Sequence, residues 1–152
     1  MARSLFWLTC LVAIGCSRGS DEQGRADSMS RFQPGQVWQY KTRTSEEASR
    51  LTIAKVESHP KLGTIVHIQV KDVAIKSTTA PDGVSKVISH LPYAEQSVAD
   101  SVTIMEKDTV TPTGWEDGYQ QWKSAFDAGK AGIWTITVSE AVSAMEQILG
   151  KQ

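Results

Sequence analysis

From residue 37 to residue 91 apolar and polar side chains alternate, and the alternation predicts strands. Phe32-Gln33-Pro34-Gly35 carries the chemistry of a turn, and Val37 to Thr44 follows with Trp38, Tyr40 and Thr42 on one side, a first strand. Arg50 to Glu57 reads as a second. Its apolar set changes parity, from Leu51 and Ile53 to Val56, which predicts a bulge. Thr64 to Ile75 forms a third, with Val66, Ile68 and Val70 set against His67, Gln69 and Lys71, so one face is expected to be buried and the other solvated. Pro81-Asp82-Gly83 suits a tight loop, proline setting φ and glycine accepting a positive one, and Val84 to Leu91 returns as a fourth strand.

After Pro92 the period changes. Ala94, Val98, Val102 and Met105 recur at helical spacing, predicting an amphipathic helix. A Thr-Pro-Thr-Gly loop leads to Trp115, Tyr119, Trp122 and Phe126, which share a helical stripe that Gly129 and Gly132 should end. Ile133 to Val138 is β-branched and aromatic and reads as a fifth strand. Thr137-Val138-Ser139-Glu140 has capping-box spacing and opens a last helix through Val142, Met145, Ile148 and Leu149. The expected class is α+β: a four-stranded antiparallel meander, then helix, helix, strand and helix, with the helices on one face of the sheet.

The N-terminus carries a different signal. Arg3 precedes an apolar run from Leu5 to Ile14, of the length found in signal peptides and short of the roughly 20 residues that span a bilayer. It closes on Val12-Ala13-Ile14-Gly15-Cys16, which resembles the lipobox of bacterial lipoproteins, although Ala13 stands where most carry Leu. The resemblance implies cleavage before Cys16, a thioether-linked diacylglycerol on its sulfur and, usually, acylation of the new amino group. Several acyl chains, at roughly 0.8 kcal/mol per buried CH2, anchor a protein firmly. Ser17, where an Asp would signal inner-membrane retention, resembles the class passed to an outer membrane. The expected organisation is therefore a signal peptide over residues 1–15, a lipidated cysteine and polar tether over 16–30, and one domain over 31–152. Cys10 would leave with the signal and Cys16 would carry lipid, so no disulfide is expected.

Composition narrows the chemistry. Past the predicted signal, fifteen Lys and Arg face seventeen Asp and Glu, which offers no electrostatic footprint for nucleic acid. The charge is uneven: residues 36–90 carry eight basic against five acidic side chains, and residues 91–152 four against nine. Basic groups on the sheet, Lys41, Arg43 and Lys71, together with Trp115 and Tyr119 at the start of the aromatic helix, form the candidate binding surface; the plainer reading of the charge split is complementarity between layers. The aromatic row is read chiefly as core. Glu116 and Asp117 belong to a helix N-terminus, where negative charge meets the dipole. His59, His67 and His90 lack zinc-ligand spacing, and His67 is read as part of a solvated face. Neither a metal nor a cofactor is expected, and nucleophile, phosphate-loop and dinucleotide signatures do not occur in the chain.

Three functions fit these features. The first is a membrane-anchored envelope lipoprotein whose non-enzymatic domain binds another protein through an uncovered face or edge of the sheet. A narrower version is an immunity or inhibitor protein that neutralises a periplasmic toxin. The third is a small hydrolase or ligand carrier with a pocket between the aromatic helix and the sheet, near Trp115, Tyr119 and His90. The segments Pro34-Gly35-Gln36-Val37-Trp38 and Gly118-Tyr119-Gln120-Gln121-Trp122-Lys123 resemble those of small uncharacterised bacterial lipoproteins, a likeness that implies no activity.

Overall fold

The alternating segments pair in sequence order as an antiparallel meander, β1 (Val37–Tyr40), β2 (Arg50–His59), β3 (Gly63–Lys76) and β4 (Val84–Ala94). The helical segments give α1 (Glu95–Ser101), α2 (Glu116–Asp127) and α3 (Val138–Leu149), and between α1 and α2 the chain adds a further strand, β5 (Val102–Lys107). Strand order is β4-β3-β2-β1-β5, so the class is α+β. This computed structural model describes residues 30–149 apart from residue 79; the predicted signal, Cys16 and nearly all of the tether lie outside the described residues. Among the described residues no helix is long and apolar enough to cross a membrane.

Val66, Ile68 and Val70 of β3 join Leu51 and Ile53 of β2 in a core closed by Val98 of α1 and Val138, Ala141 and Val142 of α3. Two irregularities keep that face apolar. Between Ile53 and Lys55 the β2–β3 register shifts, the bulge that the parity change predicted, so that Val56 faces the core and Lys55 and Glu57 pass to the other side. Asp72, at φ 58°, does the same in β3, and Val73 and Ile75 resume burial on the opposite parity.

Three expected elements come out differently. The helix predicted to run past Met105 ends at Ser101, because Val102-Thr103-Ile104 is a β-branched run and the free edge of β1 supplies a pairing partner, Trp38 opposite Met105 and Tyr40 opposite Val102. The predicted fifth strand at residues 133–138 is reduced to one parallel bridge, Trp134 to Tyr93, since Thr137 is already the cap of α3. The first strand stops at Tyr40, after which the Lys41 amide bonds to the Ser101 carbonyl. α1 and α3 cover the expected face, whereas α2 lies on the other: its Tyr119 and Trp122 meet His67, whose parity is opposite to that of Val66 and Ile68.

Candidate functional site

β2, β3, β4 and α2 bring five polar side chains together on the face away from the main core. The β2 bulge turns Lys55 and Glu57 toward β3, where Lys55 pairs with His67 and Glu57 with Ile65. In β4 two residues, Ser89 and His90, stand opposite the single Gln69 of β3, because the register passes from Ile68↔Leu91 to Val70↔Ile88. That extra residue carries His90 over His67. Their imidazoles stack with centroids 5.1 Å apart, and Nδ1 of His67 lies 2.9 Å from Nε2 of His90.

α2 seals this pair from above. Tyr119 and Trp122 meet the His67 ring edge-on at 5.1 and 4.9 Å, and Phe126 stacks on Trp122 and meets His59. Gly118 is what permits the approach: a β-carbon there would lie 2.7 Å from Cβ of His90. The helix stops where the glycines predicted, in a Schellman geometry with the Gly129 amide bonded to the Phe126 carbonyl and that of Lys130 to Ala125. Two further bonds tie down its flanks, Gln69 Nε2 to the Thr113 carbonyl (2.9 Å) and Trp122 Nε1 to the Gly132 carbonyl (2.8 Å).

The electrostatics are those of a closed ion cluster. Tyr119 accepts a hydrogen bond from Lys55 Nζ at 2.7 Å and donates one to Glu57 Oε2 at 3.0 Å, while Lys55 also contacts Glu57 directly. The opposing cation and the hydroxyl outweigh burial and hold the Glu57 carboxyl below its ordinary value. Its other oxygen lies 3.2 Å from Nε2 of His67, close but off the line of a hydrogen bond. Burial depresses His67, with Glu57 opposing the shift, and brings His90 down to about 4 with help from the neighbouring ring. Both imidazoles are therefore neutral at pH 7. With an ionised carboxylate beside Nε2, we assign the His67 proton there, so that Nδ1 accepts from the Nε2–H of His90.

His67 and Gln69, expected on a solvated face, are buried instead, at 0% and 3% exposure, because α2 covers them. Trp115 and Tyr119 are half-buried and Trp122 is buried, so the space in which a ligand pocket was expected holds their rings and the two imidazoles. The candidate binding residues separate. Lys71 is exposed on the His67 side of β3, whereas Lys41 and Arg43 lie beyond β1. Lys41 donates to the Asp100 carbonyl at 3.1 Å. Arg43 binds Glu46 (2.5 Å) and Glu146 of α3 (2.7 Å), and Glu46 Oε1 also accepts the Ala74 amide at 2.7 Å, just past the Asp72 bulge. Beside this cluster runs an open polar groove of about 830 Å³ between residues 42–46 and α3. Arg50 reaches Glu106 of β5 at 2.9 Å. Arg43–Glu146 joins the basic half of the chain to a helix of the acidic half, whereas Arg50–Glu106 joins the two halves within the sheet itself.

Sequence reading missed Glu57, Lys55 and His90 as a group. The parity change in β2 was the available signal, since it put Lys55 and Glu57 on the side of His67; the extra residue in β4 left no comparable mark. No protein-family model matches the chain, and neither a curated protein nor a solved structure matches it.

Proposed function

We propose that this is a lipid-anchored protein of the bacterial envelope whose domain binds another protein through the β5 edge of its sheet. The lipobox resemblance at Cys16 supports the anchor, with outer-membrane sorting suggested by Ser17. The observation that carries the binding role is β5 itself. It ends the sheet, among the described residues its outer backbone groups have no neighbouring strand in the β4-β3-β2-β1-β5 order, and Ile104 and Met105 on it are 58% and 44% exposed. Such an edge is a template for strand addition, with main-chain bonds giving affinity and exposed side chains giving selectivity.

Edges left open in this way are usually blunted by charge. Here Glu106 and Lys107 flank the apolar pair, and Glu106 is engaged by Arg50 and Gln39. The test is recovery of the acylated protein from membranes in mild detergent, wild type beside Ile104→Lys. A partner that co-purifies in fixed ratio with the wild type, and is lost from the variant while the variant melts normally, supports the reading. Recovery of no partner, or one indifferent to Ile104→Lys, contradicts it.

A further inference from the structure

We propose that the His67–His90 pair is an acid-operated latch, holding α2 on the sheet at neutral pH and releasing it ahead of the rest of the domain as the pH falls toward 5. The geometry supplies the mechanism. A 2.9 Å contact between two ring nitrogens needs one N–H and one lone pair. When both imidazoles are protonated every ring nitrogen is a donor, and the contact becomes a repulsion between two cations.

Protonating only His67 leaves the contact but places a charge where solvent cannot reach, since that ring is 0% exposed, and protonating only the half-buried His90 places a charge against it. The surrounding groups offset it only in part. From β2, Glu57 Oε1 faces Nε2 of His67 at 3.2 Å and opposes the cost of burial without outweighing it, while Lys55 and Tyr119 both engage the other oxygen, Oε2. From α2, Tyr119 contributes a hydroxyl, and Lys123, one turn on, is paired with Asp127 at 2.5 Å and so brings no net charge to the cluster. Added protons therefore accumulate as net positive charge beneath the helix.

The helix is also the part free to leave. Its hold on the sheet runs through Tyr119 and Trp122 on the two imidazoles, the Tyr119 hydroxyl on Lys55 and Glu57, Phe126 on His59, Gly118 over His90, and the Gln69–Thr113 bond. None of its residues belongs to the core cluster that α1 and α3 build on the opposite face. Release of α2 thus exposes His67, His90 and Gln69 without opening that core.

The sign follows from burial. In the docked state His90 is held down to about 4 and His67 below its ordinary value, while in the released state both rings meet water and titrate near 6.5. Between those limits the released state binds more protons, so acid favours release; above about 7 the dependence vanishes. His90 alone raises the released-to-docked ratio about twentyfold between pH 7 and pH 5, and His67 adds to it.

Hydrogen exchange on the full chain in detergent micelles, corrected for the intrinsic pH dependence of exchange, reads this directly. Protection of α2 amides should fall by about twentyfold or more from pH 7 to pH 5 while β2, β3 and α3 keep theirs. His90→Asn, which retains a neutral donor, should flatten the slope. Unchanged α2 protection, loss shared equally with β3, or a wild-type slope in His90→Asn would each overturn the latch. Imidazole NMR titration of the unsubstituted protein provides a check independent of any variant: midpoints for His67 and His90 below 6.5 are expected, and a midpoint at or above that value for either contradicts the proposal.

Discussion

At the scale of single residues, two positions carry more than their type suggests. Gly118 sits inside α2, where glycine costs roughly 1 kcal/mol relative to alanine by helix propensity. Its absent side chain is the space that His90 occupies. Gly118→Ala should therefore destabilise the protein by about 1–3 kcal/mol despite its better propensity, through overpacking against His90; a melting temperature equal to or above wild type would show that α2 does not lie this close. Glu46 is the second. It is 5% exposed and serves Arg43 and the Ala74 amide together, so Glu46→Ala leaves the guanidinium with Glu146 as its remaining carboxylate and a backbone donor unmatched, at a cost of about 1–3 kcal/mol at pH 7. Arg43 holds the Glu46 carboxyl below its ordinary value of 4.5. The stabilisation is therefore complete above 4.5 and fades as the pH falls through that lowered value, so denaturant melts of wild type and variant should converge in strong acid. This window lies below that of the histidine pair, which separates the two acid effects.

At the scale of elements, α3 and β5 show what holds and what moves. α3 opens with a reciprocal capping box: Thr137 Oγ1 accepts the Glu140 amide at 3.4 Å and Glu140 Oε2 accepts the Thr137 amide at 2.9 Å. Thr137→Ala should cost about 1 kcal/mol in a denaturant melt, and a neutral result would mean that packing of Val138 and Val142 alone fixes the helix start. Four strands, three helices and the β2 bulge were legible because alternation, helical period and terminal signals agree locally with the fold. The Ile148 side chain was not: it was placed on the apolar stripe of α3 and is 52% exposed, while its neighbour Leu149 packs against the core. β5 was hidden for a related reason. Val98 and Val102 keep helical spacing across the junction, and the β-branched run from Val102 becomes a strand where the edge of β1, a feature of the whole sheet, gives it a partner. The same limit applied to His67. Alternation says which side of a strand a residue occupies, and it cannot say that a helix far along the chain will cover that side.

At the scale of the whole molecule, one sheet separates two unlike layers. On one side α1 and α3 close an apolar core that also takes in Phe32, itself braced by Trp38 and by the Arg31 guanidinium. On the other, α2 covers a cluster of rings and charges. The described residues begin close to that core, for Ser30 bonds Glu95 at 2.6 Å. Under the proposed anchoring, the polar residues 16–29 would act as a tether spanning on the order of 20 Å, enough to hold the domain just clear of lipid headgroups. Acylation at Cys16 and binding at β5 would then act on opposite sides of that tether. The measurement that tests this most directly is the intact mass of the protein extracted from membranes, beside a Cys16→Ser variant. The account predicts a wild-type chain that begins at Cys16 and carries the added mass of diacylglycerol and an amide-linked acyl group, and a variant that lacks this mass and leaves the membrane fraction. An unacylated wild-type chain, or a variant retained with its mass otherwise unchanged, would contradict it.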